Sequence, residues 1–160
     1  MLRSLLRFLA TTIGLAVLLA SHPATAARRD AMPQYGRQQI LEQPMDAGRV
    51  KLALKQAGRM HGWSVVSEDP NALRLRLNVR NKHFATVDFL NIDDRACDVK
   101  YISSENLNYT KDGDYEEIHP NYGRWLETLL RDARVQGNAL RELSKQLNTD
   151  DAASAPAASF

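Results

Sequence analysis

Cysteine is all but absent: Cys97 stands alone among 160 residues, which excludes an internal disulfide framework and any metal site built from several thiolates. An excess of either charge is missing too. The 21 Lys and Arg face 19 Asp and Glu, and Arg3 and Arg7 lie in a segment expected to be removed, which leaves 19 of each. That balance excludes reading the pI near 8.8 as a nucleic-acid footprint, because such binding needs a basic excess on one face; no nucleic-acid partner is expected. The chain has no internal repeat and is short for two domains of ordinary size. With 44% hydrophobic and 25% charged residues, it fits neither a disordered protein nor a membrane protein with several spans.

Long apolar runs are scarce as well. Residues 8–20 are apolar apart from small or hydroxyl side chains, about 13 positions where crossing a bilayer takes about 20. Arg3 and Arg7 are at its N-terminal side and Ala24-Thr25-Ala26 follows it, the basic, apolar and small-x-small parts of a secretory signal. The expectation is a signal peptide over residues 1–26, cleaved near Ala26, and a mature chain in a bacterial periplasm or outside the cell. A retained anchor is the competing reading. No cysteine lies near the cleavage site, so no lipid attachment is expected there and any membrane contact is peripheral. In an oxidising compartment an unpaired Cys97 is expected to be buried or inert, with an intermolecular disulfide as the alternative.

Residues 27–44 carry Pro33, Gly36 and Pro44 among Arg and Gln without hydrophobic period, and read as a flexible lead-in. Residues 148–160 are rich in Ala, Ser and Asp, too poor in large apolar groups to pack, and read as a disordered tail. The single domain is expected over 45–147. Asp46 is a plausible N-cap for a helix in which Val50, Leu54, Ala57 and His61 recur at helical spacing and Gly62 stops the run. Residues 63–68 read as a short strand. Leu73, Leu75, Leu77 and Val79 then alternate with Arg74, Arg76, Asn78 and Arg80, a period of two. Further strands are expected over 84–90 and 97–103. A last helix starts near Asn121, its stripe formed by Tyr122, Trp125, Leu126, Leu129, Leu130 and Ala133; Gly137 and Asn138 are expected to bend or split it. The connections are too short for parallel crossovers. The expected fold class is therefore α+β, a four-stranded antiparallel meander sheet with N- and C-terminal helices packed on one face.

Four stretches form a pattern: Gly62-Trp63, His83-Phe84-Ala85, Tyr101 through Tyr109 as Tyr-x-x-Ser-x-Asn-Leu-x-Tyr, and Ile118 through Trp125 as Ile-His-x-x-Tyr-x-x-Trp. In these the chain resembles a group of small, uncharacterised bacterial envelope proteins, many of them lipoproteins. The resemblance implies an exported small domain and supplies no enzymatic activity. This chain departs from the group in lacking a lipobox cysteine.

The candidate site residues are Ser104, Asn106, Tyr109, His119 and Tyr122, as a binding site or a structural latch. His119 precedes Pro120, which biases it to extended backbone. Its imidazole suits a general base or ligand only if a nucleophile and an orienting group come within reach; otherwise His119 and Asn106 hydrogen-bond backbone groups and pin their loop over the sheet edge. Residues 111–117 are acidic enough to suggest calcium, but the spacing of an EF-hand is absent, and Asp112-Gly113 is explained by a turn. His61, His83 and His119 fall on separate elements without zinc-ligand spacing. No metal and no cofactor is expected. Arg74, Arg76 and Arg80, and Lys51, Lys55 and Arg59, could meet anionic polymers or headgroups, but the favoured reading is a solvated face neutralised by Asp88 and its neighbours across the sheet. Trp63, Tyr101, Tyr109, Tyr122 and Trp125 suggest a stacking groove or core, with Tyr109 the best exposed contact.

Together these features lead to an exported, non-catalytic module that binds an envelope protein or another cell-envelope component through the loop over residues 106–119. The alternative is a small periplasmic hydrolase or ligand-processing enzyme centred on His119. A third reading is a structural or stress-related periplasmic protein without a single ligand.

Overall fold

A computed structural model describes residues 28–154; the expected signal peptide over 1–26 lies outside the described residues. The chain runs β1 (Asp30–Ala31), β2 (Arg37–Gln39), α1 (Ala47–Met60), β3 (Trp63–Asp69), β4 (Ala72–Val79), β5 (His83–Leu90), β6 (Ala96–Glu105), β7 (Thr110–Asp112), β8 (Tyr115–Ile118) and α2 (Asn121–Ser154). The class is α+β with antiparallel sheets. The meander β3-β4-β5-β6 is present, but the sheet has five strands, in the order β2-β6-β5-β4-β3, and a second sheet of three strands has the order β1-β8-β7.

The period of two in β4 sends Leu73, Leu75 and Leu77 into the core and Arg74 and Arg76 to the other face, where they meet their partners. Arg74 makes a two-pronged pair with Asp88, at 2.6 and 2.7 Å, directly across from it in β5. Arg76 reaches Glu105 at 2.8 Å and lies over the Phe84 ring. Arg80 is not on that strand face: it is in the β4–β5 turn, with φ +55°. Asp46 caps α1 by accepting from Arg49 N–H at 2.8 Å. Lys51 and Lys55 reach across to Glu68 at 3.2 and 2.9 Å. Gly58 lets α1 approach closely: a Cβ there would lie 3.2 Å from Trp63 Cβ, 3.4 Å from Leu75 Cδ1 and 3.7 Å from Leu129 Cδ1. The helices thus lie against each other and against the leucine side of β4. At the end of α1, His61 Nε2 meets Asp132 Oδ2 of α2 at 2.6 Å. Trp63 is buried in the core, with its indole N–H unpaired among the described residues. Cys97 is also fully buried, and burial pushes its thiol up to about 12; the thiolate needed for reaction is suppressed.

Two boundaries differ from expectation. Of the stretch 27–44 expected as a flexible lead-in, the described residues 28–44 form a strap: β1 pairs with β8, β2 with β6, and Met32, Ile40 and Leu41 are buried. Ile40 and Leu41 N–H both donate to Arg95 C=O at 2.9 Å, and Arg37 ties β2 to Asp93 and Asp98. Its order comes from partners more than fifty residues away, which no local period reports. The tail differs too. Residues 148–154, expected to be disordered, continue α2, and residues 155–160 lie outside the described residues. Nor does α2 split at Gly137 and Asn138. Gly137 is there for contact: a Cβ would collide with Leu41 Cδ2 and come within 3.3 Å of Ile40 C=O.

Candidate functional site

The two C-terminal motifs meet through their backbones. Asn106 and Asn108 have φ of +57° and +53°, the left-handed region that Asn tolerates better than most side chains. Between them Leu107 turns into the core, and its C=O accepts from His119 N–H at 2.8 Å. Ile118, next to His119, is buried beside this join. His119 Nδ1 accepts from Asn121 N–H at 3.1 Å, satisfying one of the free donors at the start of α2 and leaving the ring proton on Nε2. Asn106 Nδ2 donates to Lys82 C=O at 2.6 Å, and Asn106 C=O takes a hydrogen bond from His83 Nδ1 at 2.8 Å. Residues 106–119 are not one open loop. They contain the hairpin β7–β8, turned at Gly113-Asp114, with Gly113 at φ +59° where such a two-residue turn favours glycine.

Beneath this hairpin lies a cavity of about 560 Å³, within the size range of small-ligand sites. Its walls are the strap over 32–35, β6 over 99–104, Tyr109 and Glu116 of the hairpin side, and Tyr122 of α2. Of the five candidates it brings together Ser104, Tyr109 and Tyr122; Asn106 and His119 do not line it. Tyr101 and Tyr109 stack with ring centres 4.8 Å apart, and Tyr122 meets Tyr101 edge-on at 5.6 Å, arrangements worth about 0.5–1.5 kcal/mol each beyond their area. Tyr101 Oη and Ser104 Oγ share a hydrogen bond of 2.9 Å. Burial raises the phenols of Tyr101 and Tyr122 above the ordinary tyrosine value. Tyr35 is pushed up to about 12, by burial first and then by the neighbouring Glu127 carboxylate. All three therefore stay protonated at neutral pH and offer neutral, hydrogen-bonding rims on apolar walls.

The three histidines are separated by the fold: His61 faces Asp132, His83 faces Asn106 and His119 caps α2. Among the described residues no three His, Cys, Asp or Glu side chains gather as metal ligands. No described helix is long and apolar enough to cross a membrane. Sequence reasoning missed the strap side of the cavity, Met32 to Tyr35, and missed Lys100 and Glu116. The one local cue was Tyr35, an aromatic ring between Pro33 and Gly36 in a segment otherwise read as tether. Comparison with family models, with curated proteins and with solved structures returned no match.

Proposed function

We propose that this chain is an exported, non-catalytic binding or accessory module of the cell envelope, and that its ligand or partner enters the tyrosine-walled cavity beside residues 106–119. The carrying observation is the convergence of Ser104, Tyr109 and Tyr122 with Tyr35 and Tyr101 around one space. Protonated phenols on apolar walls suit recognition and offer no nucleophile or base. The secretory-signal pattern and the resemblance to exported envelope proteins support the location. A hydrolase centred on His119 has less support. Among the described residues its imidazole makes one side-chain hydrogen bond, to the Asn121 backbone, and Ser104 Oγ is paired with Tyr101 rather than with a histidine, so neither half of an activated pair is assembled.

The test is retention of the purified chain on immobilised cell-envelope fractions, beside Tyr109→Ala. The expected result is retention by the natural chain and at least a tenfold loss in the variant, measured at a temperature where both are fully folded, since losing the stack on Tyr101 lowers the variant's melting temperature by several degrees. Equal retention of the two proteins would remove the cavity from the function.

A further inference from the structure

The cavity exists because a strand leaves its place. β6 is ten residues long and pairs with β5 along nearly its whole inner edge. On its outer edge β2 covers only Ala96, Cys97 and Asp98. Continuing that antiparallel register would set Gly36 beside Val99 and Tyr35 beside Lys100. The strap does not continue. Pro33 has no N–H to give a ladder, Met32 N–H donates instead to Glu116 C=O at 2.8 Å, and Asp30 and Ala31 pair with β8. The outer backbone edge of Val99–Ser104 is left without a strand partner among the described residues, and the space vacated by the strap is the tyrosine-walled cavity.

We infer that this gap takes a short extended peptide, which pairs with the outer edge of β6 as an added strand; the inference rests on the binding reading above and names its ligand class. A row of unpaired N–H and C=O groups is a template for another strand, and strand addition is an established mode of peptide recognition. Six residues at about 3.3 Å each match a peptide of about four to six residues. The occupant is not a second copy of this domain: the strap over 32–35 and the hairpin β7–β8 wall the slot, which admits a single short strand and not the edge of a folded sheet. The walls also set side-chain preference. Alternate residues of the peptide face Tyr101 and Tyr109, favouring apolar or aromatic groups. Lys100 forms no ion pair among the described residues, because Asp88, opposite it in β5, is held by Arg74. An acidic side chain or a terminal carboxylate suits that position.

Three probes separate this from other ligands: hexapeptides selected on the purified full chain from a random pool, the same peptides with N-methylated backbones, and a hexasaccharide of N-acetylglucosamine, each followed residue by residue by amide hydrogen exchange and NMR shifts. The expected result is at least tenfold slower exchange at alternate amides within residues 99–104, at least tenfold weaker binding of the N-methylated peptides, and weaker binding of acidic peptides by Lys100→Glu. Alternating protection is a signature that ring stacking alone does not produce. If the saccharide shifts Tyr101 and Tyr109 while no peptide protects β6, the binding reading stands and the peptide inference falls. If selected peptides pair with the β3 edge, or N-methylation makes no difference, the inference is likewise overturned. If no probe reaches the cavity, both fall.

Discussion

The two edges of the five-stranded sheet solve one problem in opposite ways. At the β3 edge a bulge at Val66, 54% exposed, interrupts a strand that faces solvent directly; Lys51 and Lys55 reach from α1 to its end and neutralise Glu68. At the β6 edge a bulge at Ile102, 37% exposed, sits inside a slot built by the strap, the β7–β8 hairpin and the start of α2. Around the first edge Lys51, Lys55 and Glu68 are paired, Trp63 packs into the core, and Val65 and Val66 face solvent. Around the second gather tyrosines and, among the described residues, an unpaired lysine and free backbone. Scaffold and candidate site occupy different ends of one sheet, and the strap decides which edge opens onto the cavity.

The largest expected effect comes from breaking the scaffold side. Leu75→Ala, in the centre of β4, should cost about 2–5 kcal/mol and lower the melting temperature of the whole domain. Leu41→Ala, equally buried but on the strap, should cost about 2 kcal/mol at the low end of that range. It should speed exchange at the amides of β1 and β2 while sparing those of β4 and β5. Equal loss of protection everywhere would mean that the strap and the sheet are one cooperative unit.

A smaller effect is expected where the two motifs join. Asn106→Ala loses the hydrogen bond to Lys82 and places a non-glycine, non-Asn residue at φ +57°. The sum is about 1.5–3 kcal/mol, or roughly 4–8 °C of midpoint per kcal/mol. Asn106→Gly should recover about 1 kcal/mol of that, since glycine accepts the left-handed backbone freely. A glycine variant no better than the alanine one would rule out backbone conformation as the reason for Asn there.

The smallest effect is in acid, where the strap is tied down. Asp93 accepts from Arg95 and Ala96 N–H at 3.0 and 2.8 Å and pairs with Arg37 of β2. The two backbone donors first, and then Arg37, hold its carboxyl below the usual carboxylate value. Between the folded and unfolded values the unfolded chain binds more protons, so the stability contributed by Asp93 is present above about pH 4 and is lost as pH falls through its folded value. Because the pair is exposed, the effect is modest. Asp93→Asn keeps an acceptor for both N–H groups and removes the titration; its melting temperature should fall less steeply between about pH 4 and 2. An identical slope would assign the acid sensitivity to other carboxylates.

Local sequence carried much of the fold and less of the candidate site. The alternation through Leu73, Leu75 and Leu77, the helical stripes of α1 and α2, and the Asp46 cap are short-range patterns, legible because each element buries one face. Of the residues that line the cavity, Ser104, Tyr109 and Tyr122 were legible, as polar and aromatic residues in dense motifs. Residues 27–44 were not. The strap satisfies its backbone on β8, β6 and Arg95, and its buried apolar side chains, Met32 and the adjacent Ile40 and Leu41, follow no period, so no window of a dozen residues contains the reason for its order. Gly137 shows the same limit: a helix breaker by propensity, it is a seat for Leu41 in the fold.

What the sequence by itself determined was the antiparallel meander and its two helices, because periods of 2 and 3.6 report which face of an element meets the core. What only the tertiary structure decided was where the N-terminal strap crosses from β6 to β8, and with it the position of the cavity. That crossing depends on hydrogen bonds between segments about sixty to ninety residues apart in the chain, and the entropy of closing such loops is repaid only when the whole sheet is in place.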